Sequence, residues 1–325
     1  MQEAKYYQTG ENSSVQCLLC PHYCFLKPEE LGRCRGRKNI SGKLYAINYA
    51  KTISISIDPM EKKPLYHFYP GEKILSIGPN SCNLSCDFCQ NYQISQYPVK
   101  TQSLTPGELL DVTRKHLCRF VAYTYTEPVT WFEYVLESAR LLKENGIGTV
   151  LVTNGYINEE PLLELLPYID AMNVDLKSMD SSFYLELCGA RLQPVLKTIE
   201  LCSGKCVLEI TNLLVTDQND SETDIRRLVD FIAGIDPDIP VHFSRYFPNF
   251  KRNDPPTSEQ VLETARKIAL EKLSYVYLGN MVADRNTYCP ECGELVIRRE
   301  LGTEIKMTQG RCSGCGLLIY GKFDG

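Results

Sequence analysis

Between Lys73 and Asn280 the chain alternates short, nearly unbroken apolar runs with longer stretches whose apolar residues recur every three or four positions. The runs KILSIGPN, RFVAYTYT, TVLVTNG, AMNVDLK, CVLEITNLL, VHFSRYF and YVYLGN have the length and the β-branched and aromatic content of strands. The stretches between them, TPGELLDVTRKH, TWFEYVLESARLLKENG, NEEPLLELLPYI, SSFYLELC, SETDIRRLVDFIAGI and SEQVLETARKIALEK, have helical periodicity. Start signals agree with them: Thr105 stands before Pro106 with Glu108 three positions on, and Ser258 precedes a long periodic run. Strands that are apolar throughout need cover on both faces, so the pattern predicts an α/β fold, a parallel sheet with helical crossovers arranged as a partial (β/α)6 barrel. In such folds the loops at the carboxyl ends of the strands form the active face.

The flanks read differently. Residues 1–65 form an expected amino-terminal cysteine-rich module, residues 66–284 the core, and residues 285–325 a second small module that looks like a zinc ribbon. No internal repeat or low-complexity stretch is visible. NGIGTV contains Gly-x-Gly but precedes a strand, so it is not a dinucleotide fingerprint.

Composition narrows the function classes. The chain has 325 residues and a formal net charge of -5, which offers no general electrostatic drive toward nucleic acid or an anionic membrane. The opening residues MQEAKYYQTGENSSVQ lack the apolar core of a signal peptide, and no apolar run reaches membrane-spanning length, so a cytoplasmic protein is expected. In a reducing compartment, 15 cysteines read as ligands before disulfides. Cys118, Cys188, Cys202 and Cys206 are scattered and read as small buried hydrophobes.

The segment SCNLSCDFCQNY places Cys82, Cys86 and Cys89 directly after the first predicted strand. Three thiolates in Cys-x3-Cys-x2-Cys can wrap a corner of a 4Fe-4S cluster and leave one iron without a protein ligand, open for chemistry. The plainer alternatives are a zinc site or a set of core cysteines. At the carboxyl end, Cys289, Cys292, Cys312 and Cys315 form two Cys-x2-Cys pairs, each next to a glycine, the spacing of a closed four-thiolate zinc site. A nucleic-acid-binding role for this ribbon is disfavoured, since Arg298, Arg299 and Lys306 are balanced by Glu294, Glu300 and Glu304. Near the start, Cys17, Cys20, Cys24 and Cys34 supply four more thiols, for zinc or an auxiliary cluster, with His22 between them as a weaker ligand.

The triplet, with Phe88 before its third cysteine, resembles the cluster motif of the radical SAM superfamily. That resemblance implies a 4Fe-4S cluster held by Cys82, Cys86 and Cys89, with S-adenosyl-L-methionine chelating the open iron. Reductive cleavage then gives a 5'-deoxyadenosyl radical that abstracts hydrogen. Phe88 is implied to be a cofactor contact. In YTYTEP, Glu127 and Pro128 match the family's Gly-Gly-Glu-Pro stretch while Tyr125 and Thr126 replace its glycines; Glu127 is expected to accept from the ligand's ammonium. Asn154 and Gly155 could approach the ribose or methionine portion, or form a plain turn. Asp175 and Lys177 in NVDLK resemble the Asp-Leu-Lys stretch of pyruvate formate-lyase activating enzymes, where such residues face cofactor and substrate. HFSRYF brings His242, Arg245 and Tyr246 toward the same mouth, with Arg245 the candidate for substrate contact and His242 equally a core side chain.

Taken in order, CLLCPHYC, DPMEKKPLYHFYPG, CDFCQN, YTYTEP and NTYCPECG resemble the AmmeMemoRadiSam-system radical SAM enzymes over essentially the whole chain. The resemblance implies association with AMMECR1-like and Memo-like proteins and an electron donor of flavodoxin or ferredoxin type. The activity expected is activase-like hydrogen abstraction from a partner protein or a small molecule. The competing reading is a metal-binding scaffold or sensor that holds structural zinc only.

Overall fold

A computed structural model describes residues 1–323. Seven strands run parallel in chain order: Lys73–Gly78, Phe120–Tyr123, Gly148–Thr153, Ala171–Asp175, Val207–Leu214, Val241–Arg245 and Val276–Gly279. Six crossovers join them, so the six expected βα units are present and a seventh strand ends the series. Ser54–Pro59 adds an antiparallel edge next to Lys73–Gly78, so these residues, grouped by sequence with the amino-terminal module, belong structurally to the main sheet.

Local chemistry accounts for the helices. Thr105 accepts from the backbone of Glu108, whose carboxylate accepts in return from Thr105 N at 2.7 Å, closing a capping box at the start of Pro106–Lys115. Ser258 Oγ likewise caps Glu259–Ala269 through Val261 N. One helix escaped the periodicity reading. Leu192–Cys202 buries Leu192, Val195, Leu196, Ile199 and Cys202 on one face, and Pro194 sits in its first turn, where the missing donor costs nothing. The segment SSFYLELC, expected as a helix, makes one short turn at Ser181–Phe183 and then a π-turn over Tyr184–Cys188 that stops at Gly189, φ +64°.

Strand alternation separates two cores. Outward side chains such as Leu75, Ile77, Val121, Met172 and Ile210 pack under the helices. Inward Ile74, Phe120, Ala122, Val150, Ala171 and Val207 close around Met60, Leu65 and Phe68, so the segment Met60–Phe68 fills the barrel near the amino ends of its strands. The inner wall then turns polar. Asn173 Nδ2 donates to Pro64 O at 2.8 Å, and the buried Glu209 carboxylate accepts from Tyr66 N, His67 N and His242 Nε2 at 3.0, 2.7 and 2.6 Å.

Cys289 and its neighbours lie on a three-stranded antiparallel sheet, Thr287–Tyr288, Leu295–Arg298 and Glu304–Ile305. Val296 and Ile297 of this sheet, with Ile319 and Phe323 further along the chain, pack on Tyr66, Tyr275 and Tyr277. Buried Arg299 ties the contact by donating to Tyr66 O at 2.6 Å. The amino-terminal residues make two small antiparallel sheets. Among the described residues no helix is long and apolar enough to cross a membrane.

Candidate active site

The loop Cys82–Cys89 leaves the carboxyl end of the first parallel strand, where the sequence placed it. Its start depends on Gly78, at which a Cβ would lie 2.1 Å from Thr124 O, so only glycine lets the two strand ends approach. Protein then holds the loop from several sides. Ser85 N and Asp87 N donate to Cys188 O and Leu187 O at 3.0 and 2.9 Å, contacts made possible by the π-turn. Lys251 binds the Asp87 side chain at 2.8 Å. From the amino-terminal module, His22 Nε2 meets Asn83 O at 2.7 Å and the Arg35 guanidinium donates to the carbonyls of Ser95 and Gln96.

All three thiols are free, Cys86 buried and Cys82 and Cys89 half-buried. Burial, reinforced by the Glu127 carboxylate, pushes the Cys82 thiol well above its ordinary range. Cys86 goes the other way: the Cys188 thiol hydrogen-bonds it, and the Lys177 ammonium adds to that against the cost of burial. Cys188 was read from sequence as an inert hydrophobe. It is buried as expected, along with Cys118 and Cys202, but it adjoins the triplet.

Glu127 is 1 % exposed and anchors the next two strand ends. Its Oε1 accepts from Val129 N at 2.9 Å and Thr153 Oγ1 at 2.7 Å, and its Oε2 from Asn154 N at 2.8 Å. Burial raises its carboxyl to about 7 despite these three donors. Asn154 carries the connection onward: its Nδ2 donates to Asn83 Oδ1 at 2.9 Å and reaches Cys82 Sγ at 3.8 Å. Gly155 follows with φ +68° in a tight turn. The departure from the Gly-Gly pattern has a visible consequence: Tyr125 adopts φ +71°, the left-handed conformation that glycine takes without strain, and its hydroxyl donates to Asp58 at 2.8 Å.

Asp175 and Lys177 pair at 3.0 Å at the end of the fourth strand. Burial alone would depress the Lys177 ammonium, but Asp175, Cys86 and Cys188 hold it well above its ordinary value, which places the lysine in the field of the triplet. The remaining candidates have protein partners of their own. The Phe88 ring is buried and packs on Phe183 at a centroid distance of 5.6 Å. Arg245 donates to Thr257 O at 2.8 Å and Glu259 at 3.0 Å. His242 belongs to the buried Glu209 network, and Tyr246 is fully buried, so neither lines the mouth.

Inside the barrel three buried polar atoms, Ser76 Oγ, Asn173 Oδ1 and Thr211 Oγ1, have no hydrogen-bond partner. They occupy inward positions on three strands, Thr211 directly opposite Asp175. Unpaired polar groups of this kind are costly, so a polar guest in the barrel mouth would satisfy them. That requirement and the three thiols above it fit a polar cofactor bound to a cluster.

The carboxyl-terminal cysteines are built otherwise. Among the described residues, Cys289, Cys292, Cys312 and Cys315 are the one group of three or more potential ligands whose atoms all lie within 4.8 Å of one another. Two matching knuckles present them: Gly293 N donates to Cys289 O and Gly316 N to Cys312 O, with φ +74° and +80° at the two glycines.

Residues 76–232 match the radical SAM superfamily, a span from the first parallel strand to the fifth crossover helix that contains the triplet, Glu127, Asn154, Asp175 and Lys177. This chain is a radical SAM enzyme. It is 41% identical to "Uncharacterized protein MJ0808" of Methanocaldococcus jannaschii over 97% of this chain and 98% of that protein, and the two belong to one family. The pyruvate formate-lyase-activating enzyme of Clostridium pasteurianum is 29% identical over 47% of this chain and 67% of its own length. The crystal structure of a radical SAM methyltransferase from Sphaerobacter thermophilus, 15% identical, covers 90% of this chain and 80% of that one with a TM-score of 0.51, a likeness of fold. The scaffold reading with structural zinc alone gives way to this assignment, and a mostly parallel radical SAM α/β sheet is what the pattern anticipated.

Proposed function

We propose that the enzyme is activase-like: a radical SAM protein whose Cys82, Cys86 and Cys89 hold a 4Fe-4S cluster and which takes hydrogen from a partner protein or a small molecule. The observation that carries this reading is the triplet itself, three free thiols spread on one pinned loop at the carboxyl end of the first parallel strand. When bound, the cluster and S-adenosyl-L-methionine supply reductive cleavage to a 5'-deoxyadenosyl radical. The relatives named as activating enzymes support the substrate class.

The chain's own residues do the positioning. Glu127 fixes the ends of two strands and orients Asn154 beside Cys82. Its Oε2 carries one hydrogen bond and keeps room to accept another from a ligand ammonium. Asp175 and Lys177 set a charged pair next to Cys86, and Ser76, Asn173 and Thr211 offer partners to a polar guest. Segment Met60–Phe68 closes the barrel from below, so the reaction space opens on one side only.

For the carboxyl-terminal module we favour zinc. Tetrahedral bonds of about 2.3 Å put sulfurs about 3.8 Å apart. Here Cys289 and Cys315 stand at 3.5 Å, and Cys292 and Cys312 at 3.6 Å. The ordered set of sequence signatures supports membership of the AmmeMemoRadiSam system, with AMMECR1-like and Memo-like proteins as associates, a flavodoxin- or ferredoxin-type donor, and the division into modules expected at 1–65, 66–284 and 285–325, its first boundary drawn back to before Ser54 by the edge strand. Anaerobic reconstitution with iron and sulfide, followed by reduction in the presence of S-adenosylmethionine, should release 5'-deoxyadenosine. Release undiminished after Cys82, Cys86 and Cys89 are changed to Ala would sink the assignment.

A further inference from the structure

We propose that Cys17, Cys20, Cys24 and Cys34 hold a second 4Fe-4S cluster, ligated by all four thiolates and set against the loop of Cys82. Its role rests on the radical reading above; its existence does not.

All four cysteines line a single cavity together with Arg37 and Asn83. A single zinc ion would draw four sulfurs to within about 3.8 Å of one another. Among the described residues, the carboxyl-terminal cysteines alone form a set of three or more whose ligand atoms all lie within even 4.8 Å of one another. The amino-terminal sulfurs instead stand around a space, as they must when each binds a different iron of a cube.

A second observation is independent of the cysteines. Arg37 is 1 % exposed and its Nη2 donates to both oxygens of Glu133 at 2.8 Å. Its Nε and Nη1 are buried and have no partner, although guanidinium N–H groups are obligate donors. Leaving such donors unpaired is costly, and a wall of thiols provides no strong neutral acceptor. A cluster bound by four thiolates carries net negative charge and exposes bridging sulfides, which satisfies both requirements. Glu133 neutralises one face of the guanidinium and the cluster takes the other.

The position gives the group its use. Asn83 lines this cavity and is the next residue after Cys82. Its carbonyl is bonded to His22, which stands between two of the four cysteines, and its side chain to Asn154, which reaches Cys82 Sγ. The wall of one site is therefore the floor of the other. One electron enters from a flavodoxin- or ferredoxin-type donor and leaves to the cluster of Cys82, Cys86 and Cys89, and the relay returns to its starting state.

The test uses the full chain with the triplet removed (C82A, C86A, C89A), which leaves the amino-terminal module intact, reconstituted anaerobically with iron and sulfide beside the wild type. The expected result is that the variant keeps about half of the wild-type iron and sulfide, with a reducible paramagnetic signal that added S-adenosylmethionine does not alter. A variant that contains zinc at these cysteines and no iron overturns the proposal, as does wild-type iron that Mössbauer spectroscopy resolves as one cluster only. The reciprocal variant, C20A with C24A, should lose half the iron and keep the signal that responds to S-adenosylmethionine. If the wild type holds two clusters and neither responds to S-adenosylmethionine, the radical reading fails while the second cluster stands.

Discussion

The carboxyl-terminal cysteines and the central triplet use one residue type in opposite ways. Cys289, Cys292, Cys312 and Cys315 are gathered by two glycine knuckles until their sulfurs nearly touch, although Cys292 and Cys315 are exposed. The triplet is spread along a loop pinned by Ser85, Asp87 and Asn83 contacts and roofed by the amino-terminal module. Four close thiolates complete a single ion and leave it nothing to do but stabilise a fold too small to bury a core of its own. Three spaced ones hold a cluster and leave a position free. Spacing in sequence hints at the distinction, while spacing in space expresses it.

The sharpest way to break this contrast is to remove ligands from each set. Changing the triplet to Ala should lower 5'-deoxyadenosine formation by at least about a thousandfold, because no residual pathway activates the sulfonium. Changing Cys292 and Cys315 to Ser should leave iron content at the triplet unchanged, abolish zinc binding and uncouple the last forty or so residues, seen as loss of hydrogen-exchange protection around Val296 and Ile297. Iron lost from both variants equally would erase the difference.

Acid should act on the carboxyl-terminal module before the triplet loop. His67 bonds Tyr320 O and Tyr277 Oη at 2.7 Å each, and burial lowers its pKa to about 4. Because the folded value lies below the unfolded one, its contribution is present above about pH 6.5 and is lost as pH falls toward 4. That loss is on the order of 3 kcal/mol at full protonation. The protection factors of amides near Tyr320, exchange measured relative to the intrinsic rate at each pH, should therefore fall between pH 7 and pH 5, and unchanged protection would remove His67 from the docking.

Smaller effects sharpen the triplet side. Glu127→Gln should weaken S-adenosylmethionine binding roughly tenfold or more with cluster content unchanged, since the amide cannot accept at every site the carboxylate serves; titration calorimetry measures it. Gly155→Ala should destabilise by about 1–2 kcal/mol, because its backbone is left-handed and a Cβ would stand 3.0 Å from Val174 Cγ1. Denaturant unfolding checks this last value.

Much of this arrangement was legible in the chain because it is local. Cys-x3-Cys-x2-Cys, the paired Cys-x2-Cys knuckles, the Thr105–Glu108 box and the seven apolar runs each lie within a few residues, and each is where it was expected. What stayed hidden depends on contacts between distant segments. Cys188 reaches Cys86 only through a π-turn that no periodicity announces, and DPMEKKPLYHFYPG resembled a family signature without revealing that Met60–Phe68 fills the barrel. The partners of Arg245 and Phe88 were likewise hidden, since Glu259 and Phe183 lie far from them in the chain or on another element. Helix Leu192–Cys202 was missed despite its even apolar face, with Pro194 in a tolerated first turn.

The most direct test of the central claim is the paramagnetic resonance spectrum of the reduced wild-type enzyme before and after S-adenosylmethionine is added. A cluster held by three cysteines with a free iron should change its g-values and line shape on addition, and the change should vanish with the triplet variant. An iron-loaded, reduced protein whose spectrum is the same with and without S-adenosylmethionine would contradict the account.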